Sequence, residues 1–305
     1  MSSPLTGPLG DDLRQARRLA WWTIGWMISV IAIVGATAGS SQAMKTAWLE
    51  DILSLIPAVV FLVALRQEGR APNERFPHGF LRANGIAFLV SAVALSGMGG
   101  FLLVESLRTL AQREHVSILP LAVGNTTVWS GWLMIGALLY SVIPPVLLAR
   151  RKLPLARRLQ DKVLHTDAMM QKADWMTGAA GAAGVLGVGL GLWWADALAA
   201  GVISFSILHD GIGALRTASA ELIDGAPRSL DGTDLADDAR ALIEALRRDF
   251  PGAVVRVRDT GRYIRAEVSE VDPPTVLDLD RLWPGPPERR WRLAAVSFVP
   301  RSGDA

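Results

Sequence analysis

Six apolar runs, each near the ~20 residues needed to cross a bilayer core, constrain this chain more than any other feature. They cover Leu19–Ala38, Ala43–Leu65, Ala83–Leu107, Val128–Leu148, Val163–Leu192 and Ala195–Ala214. In hydrocarbon a backbone must satisfy its own hydrogen bonds, so each run is expected to be a helix. The first turns of the fifth run are polar, and Pro144-Pro145 is expected to kink the fourth. The fold expected is an α-helical polytopic membrane protein, with six transmembrane helices and a small C-terminal α+β cytoplasmic domain.

Loop charge orients these spans. Arg14, Arg17 and Arg18 precede the first. Arg66, Arg70, Arg75 and Arg82 lie between the second and third, and Arg150, Arg151, Lys152, Arg157, Arg158 and Lys162 between the fourth and fifth. The alternate loops hold Lys45, Arg108 and Arg113. A multi-pass protein of the cell membrane with both termini in the cytoplasm is expected. Trp21, Trp22, Trp48, Trp129, Trp132, Trp193 and Trp194 fall near span ends, where an aromatic belt sits. A retained first span is expected and no cleaved signal peptide, since Met1 to Arg18 lacks a clear small-residue cleavage site.

The composition narrows the chemistry. Net charge is only +2, which gives no reason to expect a nucleic-acid partner. There is no Cys, so metal ligands must be oxygen, imidazole or thioether. The composition changes near Asp224, which divides the chain into a six-span domain over 1–225 and a cytoplasmic domain over 226–305. The second part reads as an amphipathic helix from Asp234 to Arg248, then strands at Val254–Val257 and Tyr263–Val268 around Asp259-Thr260-Gly261. A short helix from Pro273 to Leu282 and a strand from Trp291 to Val299 complete an α-β-β-α-β order. That domain contains no His, which excludes a His-built metal sensor there.

Acidic residues inside apolar helices carry the functional signal. Asp167 and Asp174 lie seven residues apart on one face of the fifth span. Glu50 and Asp51 lie in the second span. A charge inside a span costs at least a few kcal/mol unless it meets a partner, water or an ion. Carboxylates from two spans therefore suggest a buried cation site. Asp167 and Asp174 are separated by ~10 Å along a helix, too far to grip one ion together. Asp174 is thus the expected ligand, and Asp167 a second-tier residue toward the cytoplasm. On straight antiparallel helices the levels of Glu50 and Asp51 differ from that of Asp174 by roughly 15 Å, and Ser54 lies nearer.

Several segments together resemble the cation diffusion facilitator family. Thr166-Asp167-Ala168-Met169-Met170-Gln171-Lys172-Ala173-Asp174 is similar to the family's fifth-span motif of Ala-Asp, an apolar pair, His, three residues and Asp. Gly178 to Leu192 matches its Gly-rich helix, and Asp196 the acidic residue that begins the sixth span. Pro77-His78-Gly79-Phe80-Leu81-Arg82 and Leu222-Ile223-Asp224 resemble its loop between spans two and three and its exit into the soluble domain. The resemblance extends from about Ala20 to Val299. It implies metal-cation/proton antiport, a homodimer, and a site completed from span two.

The chain also departs from the pattern. Met170 stands where the family carries His. The family's second-span pair, four residues apart, matches Glu50 and Ser54 in one alignment and Ser54 and Ala58 in another. The candidate metal residues are therefore Asp174, Asp51, Glu50, Asp167, Ser54 and Met170, with His78 and Glu74 as a peripheral loop pair. Met170 has packing as its alternative reading. No resident cofactor and no enzymatic activity are expected. The expected partners are a divalent cation (zinc, manganese or iron), protons and the lipid bilayer. The rival readings are a non-transporting membrane scaffold and a metal-dependent membrane enzyme. The second lacks a His-Glu-x-x-His or comparable motif.

Overall fold

The computed structural model describes residues 8–37, 48, 51–112, 120–123, 126–189, 194–272, 274 and 278–300, with some side chains inside these ranges excepted. Six helices come first: α1 Pro8–Thr37, α2 Ile56–Glu68, α3 Ala83–Gln112, α4 Ser130–Leu159, α5 Lys162–Gly189 and α6 Ala195–Leu222. Each expected apolar run overlaps one of them. Among the described residues α3 is the one helix long and apolar enough, by length and composition alone, to cross a membrane. A short antiparallel hairpin, β1 Pro120–Val123 with β2 Thr126–Trp129, joins α3 to α4, an element absent from the expectation.

Local sequence explains several element boundaries. The helix of residues 51–54 breaks at Leu55 and resumes as α2. Pro57 lies two residues into α2, and its missing N–H and its ring disrupt the bond to the residue-53 carbonyl. By contrast, α4 continues as one helix through Pro144, Pro145 and Pro154. It ends at Gln160, whose φ of 48° turns the chain back. Asp161 then starts α5, its Oδ1 accepting the Leu164 N–H at 2.9 Å as an N-cap does. The residue flanking the start of α6 is Trp194, so Asp196 falls in the first turn and not at the cap.

The bundle is apolar outside and partly polar inside. Val104, Val202 and Phe205 are 66%, 67% and 65% exposed, and Val63, Ile143 and Leu147 are exposed as well. Thr23, Ser54, Lys152, Asp167 and Gln171 are fully buried. Exposed apolar surface of this extent belongs to a lipid or protein interface. Leu19, Phe61, Ala64, Phe88, Leu155 and Leu164 form the main core between helices. Among the described residues α3 and α6 approach each other closely. A Cβ at Gly99 would lie 2.5 Å from the Leu208 nitrogen, and one at Gly211 2.7 Å from the Ser96 backbone.

After α6 comes a small α/β unit. It contains α7 Asp237–Asp249, β3 Val254–Thr260, β4 Tyr263–Ser269, the four-residue α8 Leu279–Leu282, a 3-10 turn Pro287–Arg292, and β5 Leu293–Val299. The sheet order is β3-β4-β5, with β3–β4 antiparallel and β4–β5 parallel. Ala239, Leu242 and Leu246 of α7 pack on Ile264, Ala266 and Val268 of β4. Most of the expected order appears, with adjusted edges. Residue 273 and residues 275–277 of the expected short helix lie outside the described set, and Trp291 belongs to the 3-10 turn. The expected turn at Asp259-Thr260-Gly261 is displaced, because β3 pairs through Thr260 with Tyr263. Gly261 and Arg262 form the turn, with Gly261 at φ 68°, a conformation open to glycine.

This hairpin tip inserts into one end of the bundle. Arg262 is 1% exposed and reaches Glu68 at the end of α2 and Asp161 before α5, each at 2.8 Å. Asn84 of α3 donates to the same Asp161 Oδ2 at 3.1 Å. Beside it Lys162 bonds Glu221 of α6 and, at 2.9 Å, Asp259 of β3. Asp224 is gripped by Arg82 and Arg258, and these cations hold its carboxyl below the usual range against the small cost of its burial. Two carboxylates share the Arg262 guanidinium. Burial pushes Glu68 up to about 7, because Arg262 offsets that cost only in part while Asp161 adds to it.

A carboxyl raised from 4.5 to about 7 on folding makes the native state the better proton binder in that window. Its contribution to stability is full below about pH 4.5 and falls, by no more than about 3 kcal/mol, as pH rises to 7. Glu68→Gln should therefore gain thermal stability relative to wild type on going from pH 5 to pH 8. Unfolding curves in detergent at both pH values check this, and an unchanged difference would remove Glu68 from the pH response.

Candidate cation site

Asp174 projects from the middle of α5, and the break before α2 positions its neighbour. Ser54 Oγ donates to Asp174 Oδ1 at 2.6 Å, which joins two elements 120 positions apart in sequence. Gln171 Nε2 lies 3.5 Å from the other oxygen, Oδ2, at the outer limit of a hydrogen bond. Ser54 Oγ also lies 3.8 Å from the Met98 sulfur of α3. The group thus combines one carboxylate, one hydroxyl, one amide and one thioether. Asp174 is partly exposed whereas Ser54 and Gln171 are buried, so the carboxylate is the member closest to an opening.

The other candidate residues occupy different surroundings. Asp51 is partly exposed, three residues before Ser54, a spacing that shares a helical face. Glu50 lies outside the described residues. Met170 is fully buried in a cluster with Leu95, Met98, Ala173 and Ile207, the packing surroundings given as its alternative. His78 and Glu74 are exposed in the loop between α2 and α3. Among the described residues no group of three or more His, Asp or Glu side chains is gathered closely enough to hold a metal ion.

Asp167 already has a cation beside it. Lys152 Nζ of α4 donates to Asp167 Oδ2 at 2.6 Å and to Thr23 Oγ1 of α1 at 2.5 Å. Both members of the ion pair are completely buried. The second oxygen, Asp167 Oδ1, and Gln171 Oε1 have no hydrogen-bond partner among the described residues. Asp167, Gln171 and Asp174 follow one another at spacings of four and three, so they form one polar stripe on α5. Sequence reasoning missed Lys152, Gln171 and Met98. Lys152 was counted with Arg150 and Arg151 as loop charge, although it lies fifteen positions before Asp167 across a helical hairpin. Nothing in that spacing marks it without the fold.

Residues 20–223 match the cation efflux transmembrane domain, more than half of the chain. A probable cation efflux system protein of Mycobacterium tuberculosis is 25% identical over 257 residues, covering 83% of this chain and 71% of that protein. The manganese efflux system protein MneS of Bacillus subtilis is 22% identical over 219 residues, covering 70% of this chain and 71% of that protein. This chain belongs to the cation efflux family. It is a helical membrane protein of a family that exports metal cations.

Breaking a buried ion pair costs about 3–5 kcal/mol, because one charge is left uncompensated. Lys152→Met should therefore destabilise the bundle by about that amount. The double variant Lys152→Met/Asp167→Leu should recover most of the loss. Thermal unfolding of the four members of this cycle measures the coupling, and additive losses would mean that the pair is not an energetic unit.

Proposed function

We propose that this chain is a six-span transporter that exports a divalent metal cation from the cytoplasm in exchange for protons. Asp174 is its central ligand. The observation that carries the reading is the 2.6 Å contact between Asp174 and Ser54, a carboxylate and a hydroxyl brought together from two helices in the bundle interior. A deprotonated carboxylate attracts M²⁺ and a protonated one releases it, so one buried site can exchange metal for protons as it opens to either face. Ser54 supplies a neutral oxygen. Asp51, and Glu50 beside it, provide further carboxylates on the approach. Asp167, held by Lys152, serves as a second-tier residue on the cytoplasmic side of Asp174.

Residues 1–225 then form the transmembrane domain and 226–305 the cytoplasmic one, with both termini in the cytoplasm and two chains in a homodimer. The basic loops support this orientation, since the α/β unit docks at the bundle end that carries Arg82 and Lys162. Oxygen donors suit hard and borderline ions, so manganese, iron and zinc are the candidate substrates. Manganese leads, because the family's imidazole position is Met170 here and the Bacillus relative is named for manganese efflux.

Purified protein in proteoliposomes with an imposed pH gradient should accumulate Mn²⁺, and Asp174→Ala should lower uptake at least 100-fold. Ser54→Ala, which removes one weak ligand, should lower it about tenfold. Wild-type rates in Asp174→Ala would exclude the site. Met170→His places imidazole one helical turn before Asp174 and should shift preference toward Zn²⁺. Uptake across Mn²⁺, Fe²⁺, Co²⁺, Zn²⁺ and Cd²⁺ reads that shift, and an unaltered order would put Met170 outside the selective site.

A further inference from the structure

Away from Asp174, a groove of about 990 Å³ opens between α1 and α2 at the bundle end that receives the hairpin tip. Its polar rim is Arg14, Arg17 and Arg18 of α1 with Arg66 of α2. Its upper wall is Trp21 and Trp22, which are 60% and 63% exposed, and Leu62 and Leu65 form the side along α2. On α1 these residues follow one another at i, i+3/i+4 and i+7/i+8, so arginines and tryptophans share one face. Arg14 is paired with Asp11. Among the described residues Arg17, Arg18 and Arg66 form no ion pair, although all three converge on one cavity.

The geometry points to a binding site for an anionic phospholipid of the cytoplasmic leaflet. Its phosphate lies among Arg17, Arg18 and Arg66, and its acyl chains lie along Trp21, Trp22, Leu62 and Leu65. Three observations select this occupant. The lining changes from guanidinium to indole and aliphatic within about 10 Å along α1, the polarity profile of a headgroup and its chains. The volume lies at the upper end of small-molecule pockets, enough for a headgroup and the first part of its chains. Cations from two different helices line one cavity, whereas loop charge that only sets topology has no need to share one. Basic clefts between membrane helices on the cytoplasmic side hold anionic headgroups for this reason.

The leaflet assignment rests on the orientation proposed above; the binding itself does not rest on transport. The test uses the full-length protein in detergent, titrated with phosphatidylglycerol or phosphatidylcholine and followed by native mass spectrometry. Wild type should retain phosphatidylglycerol at least tenfold more strongly than phosphatidylcholine. Arg66→Gln should weaken it about fivefold, and Arg17→Gln/Arg18→Gln/Arg66→Gln about 100-fold, at roughly fivefold per basic residue. Arg150→Gln/Arg151→Gln, exposed charges outside the groove, should retain wild-type binding. Equal binding of the two lipids, or an equal loss in both multiple variants, would overturn the proposal in favour of general surface charge. Binding that emerges only after residues 2–7 are deleted would overturn it in favour of the chain's own N-terminus as occupant. Arginine variants that fail here yet pump Mn²⁺ leave the transport reading intact. Loss of transport in Asp174→Ala with full lipid binding leaves the groove intact.

Discussion

The cost of burying charge organises this molecule. Helices with an apolar outer surface have little to orient them when their surroundings are equally apolar, so the polar groups placed between them set the arrangement. Lys152 meets Asp167 and Thr23 and ties α4, α5 and α1 together. Ser54 meets Asp174 and ties the segment before α2 to α5. Arg262 meets Glu68 and Asp161 and ties the α/β unit to the end of the bundle. Each pairing would be costly to break on one side only, so the three act as fixed points of the assembly.

These points differ in what they leave open. At the hairpin tip two carboxylates surround one buried guanidinium, and Lys162 is similarly shared between Glu221 and Asp259. Each of these clusters holds one carboxylate more than its single cation can balance. Inside the bundle Asp167 is matched by Lys152. The Asp174 carboxylate accepts from the Ser54 hydroxyl and lies 3.5 Å from the Gln171 amide nitrogen, so this set joins two elements through a single acidic group. The polar stripe Asp167–Gln171–Asp174 runs from this carboxylate toward the end of the bundle where the α/β unit docks.

Much of the architecture was legible in sequence. Apolar runs of bilayer length overlapped all six helices, and alternation marked β3 and β4, because these patterns follow from local periodicity. The misplaced hairpin turn shows the limit. Asp259-Thr260-Gly261 has turn-forming composition, but Asp259 and Thr260 remain in the strand and are buried. The unit inserts between helix ends, and tertiary contacts there override the local preference. The β1–β2 hairpin escaped notice because its strands are only four residues long.

The sequence by itself indicated acidic groups inside apolar helices, and it named Asp174 as the expected ligand with Asp51, Glu50 and Ser54 as its candidates in the second span. It also placed the helical and α/β parts in order, since composition and period are local properties. Only the tertiary structure decided which partner each charge would have. Lys152 counted as loop charge until α4 and α5 folded back on one another and brought it against Asp167. Arg262 carried no signal in the sequence, and only the entry of the hairpin into the bundle gave it Glu68 and Asp161 as partners. Pairing across 15 to 194 positions depends on helix packing, which no local pattern encodes, and the high cost of an unpaired buried charge makes that packing selective.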